Sequence, residues 1–428
     1  MQRCFGPLFV TQFCGALNDN LYKNAFILMI AFEGHAFAGI EPSLLINAIA
    51  ALFILPFLLF SITAGECADK WDKARITRFI KLFELGLMSI GAAALVMHQV
   101  GLILLVIFFL GCHSTFFGPV KFALLPQHLP GEALMQGNGW IEMGTFTAIL
   151  LGTNLGGVLM SQGQTGRWLV AGTVLGVALV GYGFSRFIPA APSVMPDLRF
   201  SLNPVREAWR HLGHAAQDRV VLVAILGNSW FWFYGSTFLT QFPAYTRDTL
   251  GGTETVVTLL WTVLTLAVGI GSLMSGFLAR GRLGLGMIPL GGVGMTLVPM
   301  DLATAHGAIS TPGTYDVGAF ILGFRGLHVM ADTALMGIFA GWYIVPLYVL
   351  IQTRSHESLR ARMMGTTNML NALFMVVASL LAMTMLAHGF AVPELFLWTG
   401  VLNAVVLGAM VMASPLLLRN FATGFRKD

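Results

Sequence analysis

Gly65-Glu66-Cys67-Ala68-Asp69-Lys70-Trp71-Asp72-Lys73-Ala74-Arg75 is a short polar stretch between two long apolar runs, and its reading decides the fold. Its glycine lets two helices approach closely. Asp69 can cap the helix that follows and pair with a cation across the interface between two halves of the chain. Lys70, Lys73 and Arg75 mark the side of a membrane on which the loop lies. Six apolar runs later the pattern returns as Gly276-Phe277-Leu278-Ala279-Arg280-Gly281-Arg282, which keeps the glycine and two cations and loses the acid. A degenerate echo at this distance is what two duplicated halves would leave.

The composition agrees. Of 428 residues, 56% are hydrophobic and 10% charged, whereas a soluble domain is about 45–50% apolar and about 25% charged. The surface of a soluble protein this size needs more charge, and disorder needs less hydrophobicity. Transmembrane β-strands run about 10 residues with alternation; the runs here are unbroken over twice that length, so helices are expected. They fall at about 6–32, 42–65, 75–98, 101–120, 134–160, 167–188, 219–245, 254–279, 285–304, 331–352, 363–388 and 394–418. The fold class is an all-α polytopic membrane protein of twelve transmembrane helices in two pseudo-symmetric six-helix bundles. The bundles are expected at 1–188 and 219–428. They are joined by a cytoplasmic linker at 189–218, in which Asn203-Pro204 caps a short amphipathic helix. Residues 306–331 read as an outer loop with an interfacial piece around Phe324-Arg325-Gly326-Leu327; a thirteenth span there would upset the topology.

With the N-terminus inside, 20 of the 24 Lys and Arg fall on the inner side, including Lys81 and Lys121. Arg167, Arg247 and Arg325 fall outside, and Lys23 lies within the first span. This bias places both termini in the cytoplasm. The net charge of +4 is thereby spent on topology, and no nucleic-acid partner is expected.

Few charges remain inside spans, where they are costly and normally face the bundle interior. Gln12, Ala16, Asp19 and Lys23 share one face of the first helix, flanked by Asn18, Asn20 and Asn24. Asp19 and Lys23 can neutralise each other or form a site for a polar headgroup or an ion. Lys121 ends the fourth span, as a site cation or as a snorkelling anchor. Asn138, Glu142, Thr145, Thr153 and Gly156 keep to one face of the fifth, where Glu142 can serve as a partner for Lys121. Glu84 reads as isolated, and His113 as a packed histidine. Gly152-Thr153-Asn154-Leu155-Gly156-Gly157 and the stripe Thr258, Thr262, Thr265, Gly269, Ser272, Gly276 read chiefly as close helix contacts. In the seventh span Asn228-Ser229-Trp230-Phe231-Trp232-Phe233-Tyr234 suits an acyl chain or lipid-facing packing. Asn368 and Asn371 can reach the cavity from the eleventh.

Cys4, Cys14, Cys67 and Cys112 form no CxxC pair. Neither a metal-ligand set nor a cofactor motif is recognised, so no metal and no cofactor is expected. No histidine has an aspartate five residues later; His214/Asp218 and His328/Asp332 are spaced by four. With no nucleotide loop, HExxH or Gly-x-Ser-x-Gly, enzymatic activity is not expected.

The inner-loop stretch resembles the signature of the major facilitator superfamily, with Asp72 where a second glycine is usual. Four further segments resemble the bacterial lysophospholipid transporters of that superfamily. They are Thr11-Gln12-Phe13-Cys14-Gly15-Ala16-Leu17-Asn18-Asp19-Asn20-Leu21-Tyr22-Lys23-Asn24, Phe117-Gly118-Pro119-Val120-Lys121-Phe122, Gln136-Gly137-Asn138-Gly139-Trp140-Ile141-Glu142, and the run from Tyr343 through Pro346 and Tyr348 to Gln352. Gln241 stands where some relatives place a basic residue. The resemblance implies inward flipping of lysophosphatidylethanolamine and related lysolipids across the bacterial inner membrane. Reacylation inside would fall to a partner acyltransferase and acyl-acyl-carrier-protein synthetase, fused in some relatives and absent from this sequence. Membrane lipids are the only other partner expected, and the chain is expected to be a monomer. Asp19 or Glu142 would meet the ammonium, Lys23 or Lys121 the phosphate, and the aromatic seventh helix the acyl chain. An ion-coupled exporter of amphipathic compounds and a non-transporting scaffold for the acyltransferase are the rival readings.

Overall fold

In lipid an apolar segment must satisfy its own backbone, and a helix does so within the segment. The computed structural model describes residues 2–33, 42–201, 203–279, 284–304 and 315–417, and every long element among them is helical. The first half holds α1 (Gln2–Glu33), α2 (Pro42–Lys70), α3 (Lys73–Val96), α4 (Val100–His128), α5 (Leu134–Met160) and α6 (Gln164–Ser185). A short helix, α7 (Pro204–Ala215), precedes α8 (Arg219–Ala244), α9 (Glu254–Leu278) and α10 (Met287–Thr304). Then come α11 (Val317–Leu322), α12 (Phe324–Arg354), α13 (Arg360–Ala387) and α14 (Val392–Ala413). Eleven described helical segments are long and apolar enough to cross a membrane; α1 is as long, but its run is broken by Asn18, Asp19, Asn20 and Lys23.

One boundary corrects the sequence reading. Phe324-Arg325-Gly326-Leu327 is the first turn of the 31-residue α12, not an interfacial piece. The six-residue α11 is too short to cross, as its sequence suggests, so no thirteenth span forms there among the described residues. In the linker Asn203 does cap α7, accepting a hydrogen bond from Arg206 N at 2.9 Å. Ala208, His211 and Ala215 of α7 are buried, while Val205 and Trp209 are exposed. An apolar outer face on a short helix suits the membrane–water interface.

The chain divides into two compact units. One comprises Met1–Pro130, Thr147–His214 and Ser355–Ala372; the other comprises Gly131–Phe146, Ala215–Arg354 and Leu373–Asp428. The division falls inside α5 and inside α13. The core of the first unit is an apolar cluster of Tyr22, Phe26, Leu87, Met88, Ile107, Leu110 and Val174 from α1, α3, α4 and α6. Tyr22 is buried with its hydroxyl donating to Gly91 O at 3.1 Å, so its polar tip is not stranded. At Gly152 a Cβ would meet Leu17 O at 2.5 Å, and at Gly156 it would meet Leu21 O at 2.6 Å. These glycines of α5 are where α1 lies against it, which is the packing role read for the Gly152–Gly157 element.

Candidate functional site

The polar face of α1 separates into two environments. Asp19 is buried at 5% exposure. Its Oδ2 accepts a short hydrogen bond from Ser114 Oγ of α4, and its Oδ1 accepts none. Lys23, one turn on, is half-buried, with Nζ 3.8 Å from the centroid of the Phe53 ring of α2. The two do not form an ion pair, contrary to one expectation from their spacing: Asp19 turns to α4 and Lys23 to α2. The cation–π contact is worth about 0.5–2 kcal/mol, less than a buried carboxylate would offer. An acid and a base thus share one helix face within electrostatic reach of each other but without a direct ion pair. Asn20 is committed locally, donating to Ala16 O at 2.8 Å, and Asn24 donates to Thr153 O at 2.6 Å.

Asn18 points elsewhere, into a cluster the sequence reading did not assemble. It donates to Glu84 Oε1 and to Val174 O, both at 3.1 Å. Glu84 pairs with Lys81, and His113 Nε2 lies 3.1 Å from Glu84 Oε2. Lys81, Glu84 and Asn18 are fully buried, and His113 nearly so. Glu84 is therefore not isolated, and Lys81 is not an inner-surface charge. Gly15 and Gly181 leave the space in which the lysine lies; a Cβ on Gly181 would come 2.9 Å from Lys81 Cε. The overlooked signal was the i,i+3 spacing of Lys81 and Glu84 in a helix otherwise apolar. A groove of about 650 Å³ lined by Phe60, Phe79, Phe83, Phe109 and Phe116, with Arg75, reaches His113 from α2, α3 and α4.

At the inner loop the two tasks foreseen for one acid are divided between two. Asp72 caps α3, accepting from Arg75 N at 2.8 Å, and its other oxygen accepts from Ala191 N at 2.9 Å. Asp69 is fully buried. It accepts from Arg362 Nε at 3.1 Å and from the Ala361 and Arg362 backbone amides at 3.3 Å each. Its carbonyl takes Val194 N at 3.2 Å and Met195 N at 3.1 Å, which ties the linker to the end of α2. A Cβ on Gly65 would meet Ala361 O and Arg362 Cα at 2.8 Å, so this position must be glycine for α13 to come so near. Lys70 lies over the Phe200 ring at 4.6 Å, Lys73 is buried, and Arg75 is exposed. Arg280 and Arg282 lie outside the described residues.

In the second unit Asn138 and Gln352 exchange side-chain hydrogen bonds of 2.7 and 2.9 Å, and both are fully buried. Asn138 is thus a structural amide joining α5 to α12. The Tyr348 hydroxyl is hydrogen-bonded with Trp232 and Asn228 and lies within electrostatic reach of Glu142. Glu142 and Asn228 are buried and Trp232 is half-buried. Most of the aromatic run is core: Trp230 donates to Asn403 at 2.7 Å and stacks on Phe233 at 4.7 Å, while Tyr234 packs on Phe238. Of the expected acyl-chain surface only Trp232 is left partly open. In the first unit Lys121 is half-buried, with Nζ 4.8 Å over the Phe122 ring, and Asn368 lies beside Gly118 of α4.

The sequence profile described as Major Facilitator Superfamily matches residues 8–334. The chain is 25% identical over 362 residues to a protein named lysophospholipid transporter LplT from Enterobacter sp. (strain 638), covering 82% of this chain and 80% of that one. A protein of the same name from Photorhabdus laumondii subsp. laumondii is 25% identical over 370 residues, covering 84% and 82%. Among solved structures, the human organic anion transporter MFSD10 (TETRAN) superposes with a TM-score of 0.74 at 14% identity, over 96% of this chain and 99% of that one. At that identity the likeness is one of fold.

Proposed function

The chain belongs to the Major Facilitator Superfamily, and we propose that its cargo is a lysophospholipid, flipped from the outer to the inner leaflet of the bacterial inner membrane by alternating access. It is a transporter and not an enzyme, and its apolar helices make it a multi-pass membrane protein. The names of its relatives support the cargo. The observation that carries it is the acid and base on α1 that form no direct ion pair: a buried Asp19 with one oxygen accepting no hydrogen bond, and Lys23 one turn away with its ammonium against an aromatic face. A zwitterionic headgroup of the lysophosphatidylethanolamine kind offers the complement, an ammonium for the acid and a phosphate for the base. Each contact is strong in a low dielectric, and each removes the cost of leaving a charge unpaired.

In the first unit Lys121 is assigned to the headgroup as well, with Asn18, Asn20 and Asn368 in supporting positions; in the second unit Glu142, Asn228, Trp232 and Asn138 are assigned to cargo binding. Asp69 with Arg362, and Asn138 with Gln352, hold the inner ends of α2, α5, α12 and α13, and must part for release to the cytoplasm. Bound substrate would favour one arrangement of the 1–188 and 219–428 sequence halves over the other by its different affinity for each. Both termini are assigned to the cytoplasm from the basic bias, and a cytoplasmic acyltransferase would consume the product.

The test is reconstitution in liposomes with labelled lysophosphatidylethanolamine, scoring leaflet transfer with and without ion gradients. Asp19→Ala and Lys23→Met are each expected to abolish transfer while the protein still elutes as a monodisperse species of wild-type Tm. Normal transfer by Asp19→Ala would remove the site. Transfer that follows a pH gradient and ignores lysolipid competition would favour the exporter.

A further inference from the structure

A second polar cluster stands apart from every residue assigned to transport. Asp301 lies in the last turn of α10, and His328 and Asp332 lie one turn apart near the start of α12. The four-residue spacing puts the latter two on one helix face. His328 Nε2 lies 3.0 Å from Asp301 Oδ2 and 3.5 Å from Asp332 Oδ2. One nitrogen or oxygen from each of the three side chains lies within 4.8 Å of the others.

An ion-pair latch between the two helices would leave this arrangement half satisfied. A single imidazole nitrogen carries a single proton, and His328 Nε2 is turned to Asp301 at hydrogen-bond distance. Asp332 has a side chain 7% exposed, and its Oδ2, facing the histidine, accepts no hydrogen bond. A buried carboxylate oxygen without a partner is costly, and the neighbouring Asp301 carboxylate adds like-charge repulsion. A divalent cation would remove both costs.

The spacings suit one. Zinc binds histidine nitrogen and carboxylate oxygen at about 2.0–2.2 Å in tetrahedral sites, which puts neighbouring ligand atoms about 3.3–3.6 Å apart; the 3.0 and 3.5 Å separations need only a small opening. One imidazole with two carboxylates favours a borderline transition metal over magnesium or calcium. Asp301 and His328 are 53% and 37% exposed at their side chains, so an ion has access from the aqueous side and a fourth position for water. In the orientation proposed above that side is the outer one.

We propose that Asp301, His328 and Asp332 bind one divalent transition-metal ion of the zinc class, which ties the end of α10 to the start of α12. This goes beyond the lysolipid reading and stands without it. The test uses the full chain, purified in detergent, stripped with EDTA and titrated with zinc or cobalt(II) chloride. The expected result is saturable uptake of one equivalent, a Tm that rises with zinc, and visible cobalt d–d bands of a nitrogen–oxygen site. Loss of an outer-shell partner alone weakens metal sites by about 10–100-fold, so His328→Ala and Asp332→Asn are expected to weaken binding by at least about tenfold. Asp301→Asn, at an exposed position, should do the same with the metal-free Tm unchanged, and serves if the other two misfold. Wild-type protein that takes up no stoichiometric zinc, or cobalt bands that persist in Asp301→Asn, would overturn the assignment.

Discussion

Lys81→Met should cost this protein more than its place near the inner end of α3 suggests, and Glu84→Gln made in the same chain should add little further loss. Lys81 and Glu84 are fully buried, three residues apart on one helix, with His113 and Asn18 completing the carboxylate's shell. Two unit charges about 4 Å apart at an effective dielectric of about 20 attract by about 4 kcal/mol. Removing one member of such a pair strands the other and typically costs about 3–5 kcal/mol. Lys81→Met leaves the Glu84 charge to one histidine and one amide. Glu84→Gln keeps an acceptor for Asn18 but strands the ammonium in the space beside Gly15 and Gly181. Each single variant is therefore expected to lose about 3–5 kcal/mol. The double variant should fall short of the summed loss by about 3 kcal/mol, the upper end of measured pair couplings. The assay is urea unfolding in detergent at low salt, since a chaotropic salt would screen the term sought. Losses that add to within about 0.5 kcal/mol would show that the pair is not coupled, and the quartet would then be packing alone.

Asp69→Asn keeps the shape but loses the charge that receives Arg362, so unfolding should cost about 1.5–3 kcal/mol less, with slower lysolipid transfer; unchanged stability would dismiss the Arg362 bond. Gly65→Ala sets a methyl against backbone atoms of Ala361 and Arg362 and should cost about 1–3 kcal/mol as overpacking, read as a lower Tm. Asn138→Ala strands the buried Gln352 amide at about 1–3 kcal/mol, and Gln352→Leu in the same chain should recover part of it. Burial, with Arg362, His214 and Arg210 nearby, pushes His211 of α7 down to about 4. Its folded state resists the proton, so the stability it confers is complete above pH ~6.5, the ordinary histidine value, and drains away as pH falls from there towards 4, by at most about 3 kcal/mol. His211→Gln should flatten the unfolding profile across that window; an equally steep profile would refute the assignment.

The helices were legible because a span announces itself by length and apolarity, and most boundaries lie within a few residues of the reading. The errors have local causes. Phe324-Arg325-Gly326-Leu327 mixes an exposed charge and a glycine into a helix's first turn, and local composition there resembles a loop. The site was less legible. Spacing showed that Asp19 and Lys23 share a face, but which neighbouring helix each side chain would choose is a tertiary matter: Ser114 drew one and Phe53 the other. Distance from the span's end puts Lys81 at the inner surface, whereas packing puts it inside, in the room that Gly15 and Gly181 leave. The same limit hid the Asp301 cluster. His328 and Asp332 are four apart and visible as a pair, whereas Asp301 lies 27 residues before His328 across a loop.

Three sets of charges in the first unit stand in different conditions. Lys81 and Glu84 pair with each other while buried, with His113 beside them, and any exchange there would strand a charge at a cost of several kcal/mol. That makes them an anchor. Asp69 is locked by a guanidinium and two backbone amides at the inner end of α2, each bond modest and charge-assisted, a set that can be made and broken as helices part. Asp19 and Lys23 keep unspent capacity, one oxygen accepting no hydrogen bond and one ammonium resting on a ring. A fold that can satisfy Glu84 with three partners had the means to pair Asp19 with Lys23 a single turn away. Leaving them apart costs stability, and the arrangement is explained if a ligand with opposite charges about one helical turn apart recovers that cost on binding.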